Sequence, residues 1–421
     1  MWLVAGAFVL ALLFGVPLAF TLCLAALTAL LVAATAPEVF AQQLYSAVNS
    51  FPLLAIPFFL FAGDLLNRTG MTTKIIDFAV ALFGWMRGGA AHVNIGSSIL
   101  FAGISGSAIA DSAAVGSMMI PAMRKEGFTA PFSAAVTATS SVIGPIIPPS
   151  VIMIVYGSSL NVSIASLFAA GILPGLLMGF ALMLVVFWRG WRGEPMGPIV
   201  PFRVRHVFRS GFLAIPALML PIIIIGGMLS GVFTATEAGA IAVAYALALS
   251  TTLRLLSLRQ VLQSLVKVGL ATALITFIIA ASNPFGWLLS LQQVPQNIAR
   301  MLTGFSSNIV ILLLLINAFL FIAGMLMETT ASVLILGPIL APVALGMGVD
   351  PIHFALIVII NLLIGLATPP LGLSLFVVAP LAESTVERVS RAAVPFVLAQ
   401  TAVLMVVTFV PAVTLWVPSL M

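Results

Sequence analysis

The chain has 421 residues, 62% of them hydrophobic and only 6% charged, with a mean hydropathy of +1.27. A soluble domain carries about 25% charged residues, so a soluble protein is excluded, and the continuous apolar runs exclude the short alternating segments of a transmembrane β-barrel. The +5 charge does not imply nucleic acid, because its arginines lie in short loops. A single cysteine, Cys23, excludes an intrachain disulfide, and three dispersed histidines, His92, His206 and His353, show no metal-ligand spacing.

In chain order, the first apolar run, 2–34, lacks a basic leader and is too long for a signal peptide. It predicts a first crossing, bent around Pro17. Further crossings are predicted at 49–67, 130–160, 164–188, 211–228, 237–253, 268–290, 353–378 and 392–416. Segment 71–87 mixes charges with an apolar stripe and reads as an interfacial helix, an arm between two parts of the protein. The loop 189–209 holds five arginines against one glutamate, which places it in the cytoplasm. With the N-terminus inside, the clusters Arg68/Lys74/Arg87, Arg124/Lys125, Arg254/Arg259/Lys267 and Arg388/Arg391 fall on that same side. This requires 92–122 and 308–345 each to enter and leave by one face, as re-entrant hairpins. Arg300 is then the lone basic residue outside. The expected fold is an all-α polytopic membrane protein.

Two stretches share their helix breakers: SSVIGPIIPPSV (140–151) and NLLIGLATPPLG (361–372). At a constant offset of 221, Gly103, Gly116, Pro121, Gly127, Gly144, Pro148 and Pro149 match Gly324, Gly337, Pro342, Gly348, Gly365, Pro369 and Pro370, with no gap. Shared Gly and Pro positions imply shared backbone bends. On the crossing count the two copies run in opposite directions. Paired broken helices in inverted repeats point to the midplane site of a secondary transporter. Each Pro-Pro frees carbonyls that cannot face lipid. They can face a cavity and coordinate a cation such as Na⁺, while nearby half-helix N-termini favour an anion.

The stretch GISGSAIADS (103–112) then has a role. Its Ser105, Gly106 and Ser107 mark the turn of the first hairpin, and Asp111 follows on the descending arm. Glu328, Thr329 and Thr330 occupy the matching place in the second, so each hairpin is expected to carry one acid near its tip. One cation site is expected between tip one and the break at 144–149, and its twin between tip two and the break at 365–370. An anionic solute would bind between them. Candidate cation ligands are the carbonyls of Ser105, Gly144, Gly324 and Gly365, the hydroxyls of Ser107, Thr139, Thr329 and Thr368, the Gly106 turn, and the Asn361 amide oxygen. Asp111 and Glu328 either ligate or cap a half-helix. Glu237, in FTATEAG, reads as a charge at a helix start.

The stretch GMLMETTASVLILGPILAPVALGMGVDPIHFALIVIINLLIGLATPPLGLSLFV closely resembles the second half of the large membrane subunit of tripartite ATP-independent periplasmic (TRAP) transporters. So do IPFFLFAGDLLNRTGM (56–71), the stretch 97–149 and GVFTATEAGAIAVAYAL (231–247). The resemblance covers nearly the whole chain. It implies a Na⁺-driven, elevator-type importer in a bacterial or archaeal cytoplasmic membrane, and not an enzyme. It also implies that a periplasmic binding protein delivers a small organic acid, such as a C4-dicarboxylate or a sialic acid. A separate small four-helix membrane subunit is the expected partner, since no extra helices for a fused one appear at either end. The implied division is scaffold and arm at 1–91, transport-domain repeats at 92–160 and 308–378, and scaffold at 161–307 and 379–421. Two residues depart from the family pattern: Ala235 stands where proline is frequent, and Glu328 where aspartate is common.

Three other readings compete. A related transporter of inverted-repeat fold would work without a binding protein. A channel would also use broken helices with exposed carbonyls. The motif Gly103-Ile-Ser105-Gly106 matches the G-x-S-G of rhomboid-type intramembrane proteases, which need a base beside the serine.

Overall fold

Gly15, in the left-handed region at φ +73°, and Pro17, which has no N–H to give, divide the first apolar run into α1 (Trp2–Leu13) and α2 (Leu18–Val32). This computed structural model describes residues 2–32, 36–193, 196–198, 201–305, 308–369 and 372–421. In it, α1 and α2 pack against each other, so the single bent crossing expected over 2–34 is a pair of short helices instead. At 12 and 15 residues they reach roughly 18 and 22 Å, less than the ~30 Å hydrocarbon core. The physical reason is the left-handed glycine, which turns the chain where a proline alone would only kink it.

The chain continues through α3 (Glu38–Val48), α4 (Ala55–Arg68) and α5 (Met71–Phe83), the last on the segment expected as an interfacial arm. Next come α6 (Gly89–Ser105) and α7 (Ala108–Lys125), joined only by Gly106 and Ser107. The first broken helix is α8 (Ala130–Ser140), a 3₁₀ turn at Ser141–Ile143, and α9 (Val151–Leu160). The middle of the chain forms α10 (Ile164–Trp191), α11 (Val204–Leu229), α12 (Ala235–Thr252), α13 (Leu258–Leu291) and α14 (Val294–Phe305). The second hairpin, α15 (Ile309–Leu326) and α16 (Thr329–Gly346), turns at Met327 and Glu328. The second broken helix is α17 (Pro351–Gly365) and α18 (Leu373–Leu381), and the chain ends with α19 (Val386–Phe409) and α20 (Ala412–Leu415). No strand occurs among the described residues. Seven helical stretches among them are long and apolar enough to cross a membrane, including both arms of the second hairpin. The protein is all-α and polytopic.

Local chemistry sets the helix starts. Thr234 and Glu237 form a reciprocal capping box on α12, as do Ser257 and Gln260 on α13. Glu237 is thus a helix-start residue. The second box starts α13 at Leu258, ten residues before the predicted crossing, so Lys267 lies inside the helix rather than in a loop.

The repeat is visible in the helix boundaries. Shifted by 221, α7 falls on α16 at both ends, and α6 and α9 fall on α15 and α18 to within one residue. The match continues outside the hairpins: α5 corresponds to α14 and α10 to α19, to within three residues.

Packing forms two groups. Helix α12 lies on α4, α11 on α5, and α13 on α2, α3 and α4. Helices α10 and α19 pack on each other and on α17, with α19 also against α8 and α10 against α6 and α9. Gly171, Gly175 and Gly179 on α10 leave space that Ile146, Ile147 and Ile99 fill. A small residue every fourth position lets the first break approach this helix backbone closely.

Candidate functional site

The turn between α6 and α7 depends on Gly106, at φ +61°. A Cβ there would lie 2.7 Å from the Pro149 carbonyl oxygen, so the hairpin tip rests directly on the first break. Ser107 follows in an extended conformation and its Oγ accepts from the Ala110 N–H at 3.5 Å, capping α7. At the second tip, Glu328 caps α16: its Oε2 accepts from the Ala331 N–H at 3.0 Å and its Oε1 from the Thr330 hydroxyl at 2.9 Å. Thr329 is buried, and its hydroxyl has no hydrogen-bond partner among the described residues.

The two tips do not carry equivalent acids, contrary to expectation. Under the offset, Glu328 corresponds to Ser107, and Asp111 to Ser332. Asp111 lies one turn into α7, fully buried, with its carboxylate packed on the backbone of Gly144. The cap of α7 is Ser107, not Asp111. Ser112 and Ser141 share a 2.6 Å hydrogen bond that ties α7 to the first break.

The first break satisfies part of its own backbone. The Ser150 hydroxyl donates to the Pro145 carbonyl at 2.5 Å and also caps α9. Thr139 uses its hydroxyl within its helix, donating to Ala135 O at 2.8 Å, while its carbonyl accepts from Gln400 at 2.8 Å. At the second break, Gly324 and Gly365 meet backbone to backbone, with no room for a Cβ on either. Thr368 donates to Ile364 O at 2.7 Å. The Asn361 amide nitrogen donates to Asn317 O at 2.9 Å and to Asn317 Oδ1 at 2.7 Å. This fixes its Oδ1, which is buried and has no partner among the described residues. Pro148, Pro149 and Pro369 lie in the breaks as expected. Pro370 lies outside the described residues.

A cavity of about 510 Å³ brings the two tips together. Gly106 and Ser107 line it from one repeat, Glu328, Thr329 and Thr330 from the other. Pro145 and Val151 of the first break and Leu363 and Leu366 of the second complete that wall. The other predicted residues, Asp111, Thr139, Gly144, Gly324, Asn361, Gly365 and Thr368 among them, do not line the cavity. The opposite wall is apolar along α13, from Ala271 to Ile278, and polar at Asp64, Asn67 and Lys267. The sequence reading missed this polar wall, although an acid inside an apolar span, as in FAGDLLN, is by itself a functional signal.

Buried oxygens such as Thr329 Oγ1 and Asn361 Oδ1 suit a hard cation, and the capped N-termini of α7 and α16 both border the cavity. The arrangement does not suit a serine protease. His92 sits on the same helix as Ser105, thirteen residues away, roughly 20 Å along it. The His353 ring bonds to the Thr414 hydroxyl and the Thr408 carbonyl.

Comparison with known proteins gives a consistent answer. Residues 5–413 match the family described as "Tripartite ATP-independent periplasmic transporter, DctM component". The sialic acid TRAP transporter large permease protein SiaM of Vibrio cholerae is 39% identical over 412 residues, covering 96% of this chain and 95% of that one. The C4-dicarboxylate TRAP transporter large permease protein DctM of Pseudomonas aeruginosa is 38% identical over 395 residues, covering 94% and 92%. The isethionate TRAP transporter permease protein DctMQ of Oleidesulfovibrio alaskensis is 39% identical over 98% of this chain, which spans only 65% of that longer protein. Among solved structures, the YdaH transporter of Alcanivorax borkumensis superposes with a TM-score of 0.61 at 14% identity, covering 90% of this chain and 87% of that one. At that identity the likeness concerns the fold alone.

Proposed function

This chain belongs to the DctM component family of tripartite ATP-independent periplasmic transporters, and from that premise we propose that it is the transport subunit of a Na⁺-coupled importer of small organic acids. It is a large permease subunit of the inner membrane and not an enzyme. The observation that carries the finer reading is the meeting of both repeat tips, Ser107 and Glu328, in one cavity of about 510 Å³. The N-terminus of α7, capped by the neutral Ser107, offers partial positive charge to an acid group, while that of α16 is already matched by the Glu328 carboxylate. Relatives named for sialic acid, C4-dicarboxylate and isethionate support a small organic anion as the solute.

Na⁺ would be held by oxygens behind the tips: the Thr329 hydroxyl, the Asn361 amide and the Gly324 and Gly365 carbonyls in one repeat. In the other it would be held by the Ser105 and Gly144 carbonyls, with Asp111 supplying charge. The ion supplies the coupling, and this chain's residues order the tips around it. The helices α6 to α9 and α15 to α18 would move as one body against α4, α11, α12 and α13, with α5 and α14 as the paired arms. Helices α10 and α19, expected with the scaffold, would travel with that body, because α10 packs on α6 and α17, and α19 on α8 and α17. The longer DctMQ relative supports a small membrane subunit as partner, and the family name a periplasmic binding protein.

The test is uptake into proteoliposomes that hold this chain, its small subunit and its binding protein. Succinate, sialic acid and isethionate would each be offered with and without an inward Na⁺ gradient. Saturable, Na⁺-dependent uptake of one of them is expected, with Asp111→Ala and Pro148→Ala reducing uptake more than expression. Uptake without the binding protein would favour a stand-alone transporter, and current that needs neither a Na⁺ gradient nor the binding protein would favour a channel.

A further inference from the structure

The polar end of the cavity's α4–α13 wall has a charge imbalance. Asp64 is nearly buried, its side chain 9% exposed, and it accepts from three groups. Arg68 Nε and the Ser264 hydroxyl reach its Oδ2 at 2.7 and 2.6 Å, and Lys267 Nζ reaches its Oδ1 at 2.6 Å. One carboxylate thus faces two cations, and the cluster carries one net positive charge. Lys267 is the open member, with 66% of its side chain exposed against 29% for Arg68. An ammonium has three donors, and Asp64 is its sole hydrogen-bond partner among the described residues. Asp64 and Lys267 line the same cavity as Ser107 and Glu328.

The position along the membrane gives the imbalance a meaning. Lys267 lies nine residues into α13, roughly 14 Å from its N-terminal end. Arg254 and Arg259 flank that end and set it at the cytoplasmic side. The cluster therefore lies on the cytoplasmic part of α13, on the wall of the cavity that the two tips share. Ionisable groups at membrane depth face cavities and mark the paths of ions and solutes. A clamp of α4 to α13 needs only Asp64 and Lys267; Arg68, on the same helix as Asp64, adds a second cation that leaves the exposed Lys267 only partly neutralised.

The geometry points to Lys267 as a second anion-binding point, a release station on the scaffold wall, for the organic acid that the transport reading above supplies. The solute's acid group, a carboxylate or a sulfonate, leaves the tips and pairs with the free N–H groups of Lys267. Asp64 competes for the same ammonium, and this keeps the station weak enough for the solute to leave. No bond is made or broken beyond hydrogen bonds and ion pairs.

Sidedness tests this. Proteoliposomes with the complete three-component complex would exchange labelled succinate, sialic acid or isethionate, whichever the wild type accepts, against graded unlabelled solute on the cytoplasmic face. Lys267→Gln should raise the half-saturating concentration on that face about fivefold, the size expected of one exposed ion pair, and leave the outer face unchanged. Lys267→Arg should restore the wild-type value. Asp64→Asn should lower the cytoplasmic value and slow net release. Lys267→Gln and Lys267→Arg decide the matter if Asp64→Asn fails to fold. Unchanged half-saturation on the cytoplasmic face in Lys267→Gln, or equal shifts on both faces, overturns the station and leaves the transport reading standing. Exchange of none of the three solutes by the wild type overturns both.

Discussion

Ser107 and Glu328 hold the same structural place, 221 residues apart, and each caps the descending arm of its hairpin. One does so with a hydroxyl at 3.5 Å and the other with a carboxylate at 3.0 Å. The chemistry of the two tips has diverged while the backbone role has not.

Glu328→Ser should therefore fold nearly as well as the wild type, because serine is the cap already used in the other repeat. Glu328→Ala should cost about 1 kcal/mol, the usual loss for a helix cap. Thermal unfolding of the purified protein measures the difference. If Glu328 instead held the coupling ion, Glu328→Ser would unfold normally and transport nothing.

The two breaks should respond differently to a single methyl group. At Gly365 the obstacle to a Cβ is the backbone of Gly324, which cannot give way. At Gly144 it is the Asp111 side chain. Both alanine variants overpack a tight contact, at a cost of about 1–3 kcal/mol or more. Only Gly144→Ala should regain stability when combined with Asp111→Ala, and the double variant should still lack uptake. Melting temperatures of the four proteins give the comparison.

Asn317 should act on the ion through Asn361. Asn317→Leu removes the Oδ1 acceptor of the Asn361 amide nitrogen and leaves only the backbone carbonyl of residue 317. It leaves a buried donor unpaired, at about 1–3 kcal/mol. It also loosens the orientation of the Asn361 oxygen, now held by one hydrogen bond in place of two. The Na⁺ concentration needed for half-maximal uptake should rise, with solute affinity less affected. An unchanged Na⁺ dependence would separate Asn361 from the ion.

Much of this architecture was legible because breakers act locally. Gly144, Pro148 and Pro149, with their partners at 365, 369 and 370, marked both broken helices from sequence alone, and the hairpin turns fell at Gly106–Ser107 and Met327–Glu328. What stayed hidden depended on contacts. Pro17 looked like a bend because nothing in the sequence says that Gly15 adopts a left-handed turn. Asp111 and Glu328 looked like equivalents because both are acids near a tip, whereas the shared cap position pairs Glu328 with a serine. Asp64 and Lys267 lie about two hundred residues apart, and no local pattern brings them to one wall.

The unequal caps also bear on how a solute is oriented. Two identical tips facing one space would accept an asymmetric molecule either way round with equal ease. A carboxylate on one side repels an acid group, and a hydroxyl on the other welcomes it. On the transport reading proposed above, the duplicated architecture would thus offer a directional seat, with the charged head toward Ser107 and the remainder toward Glu328.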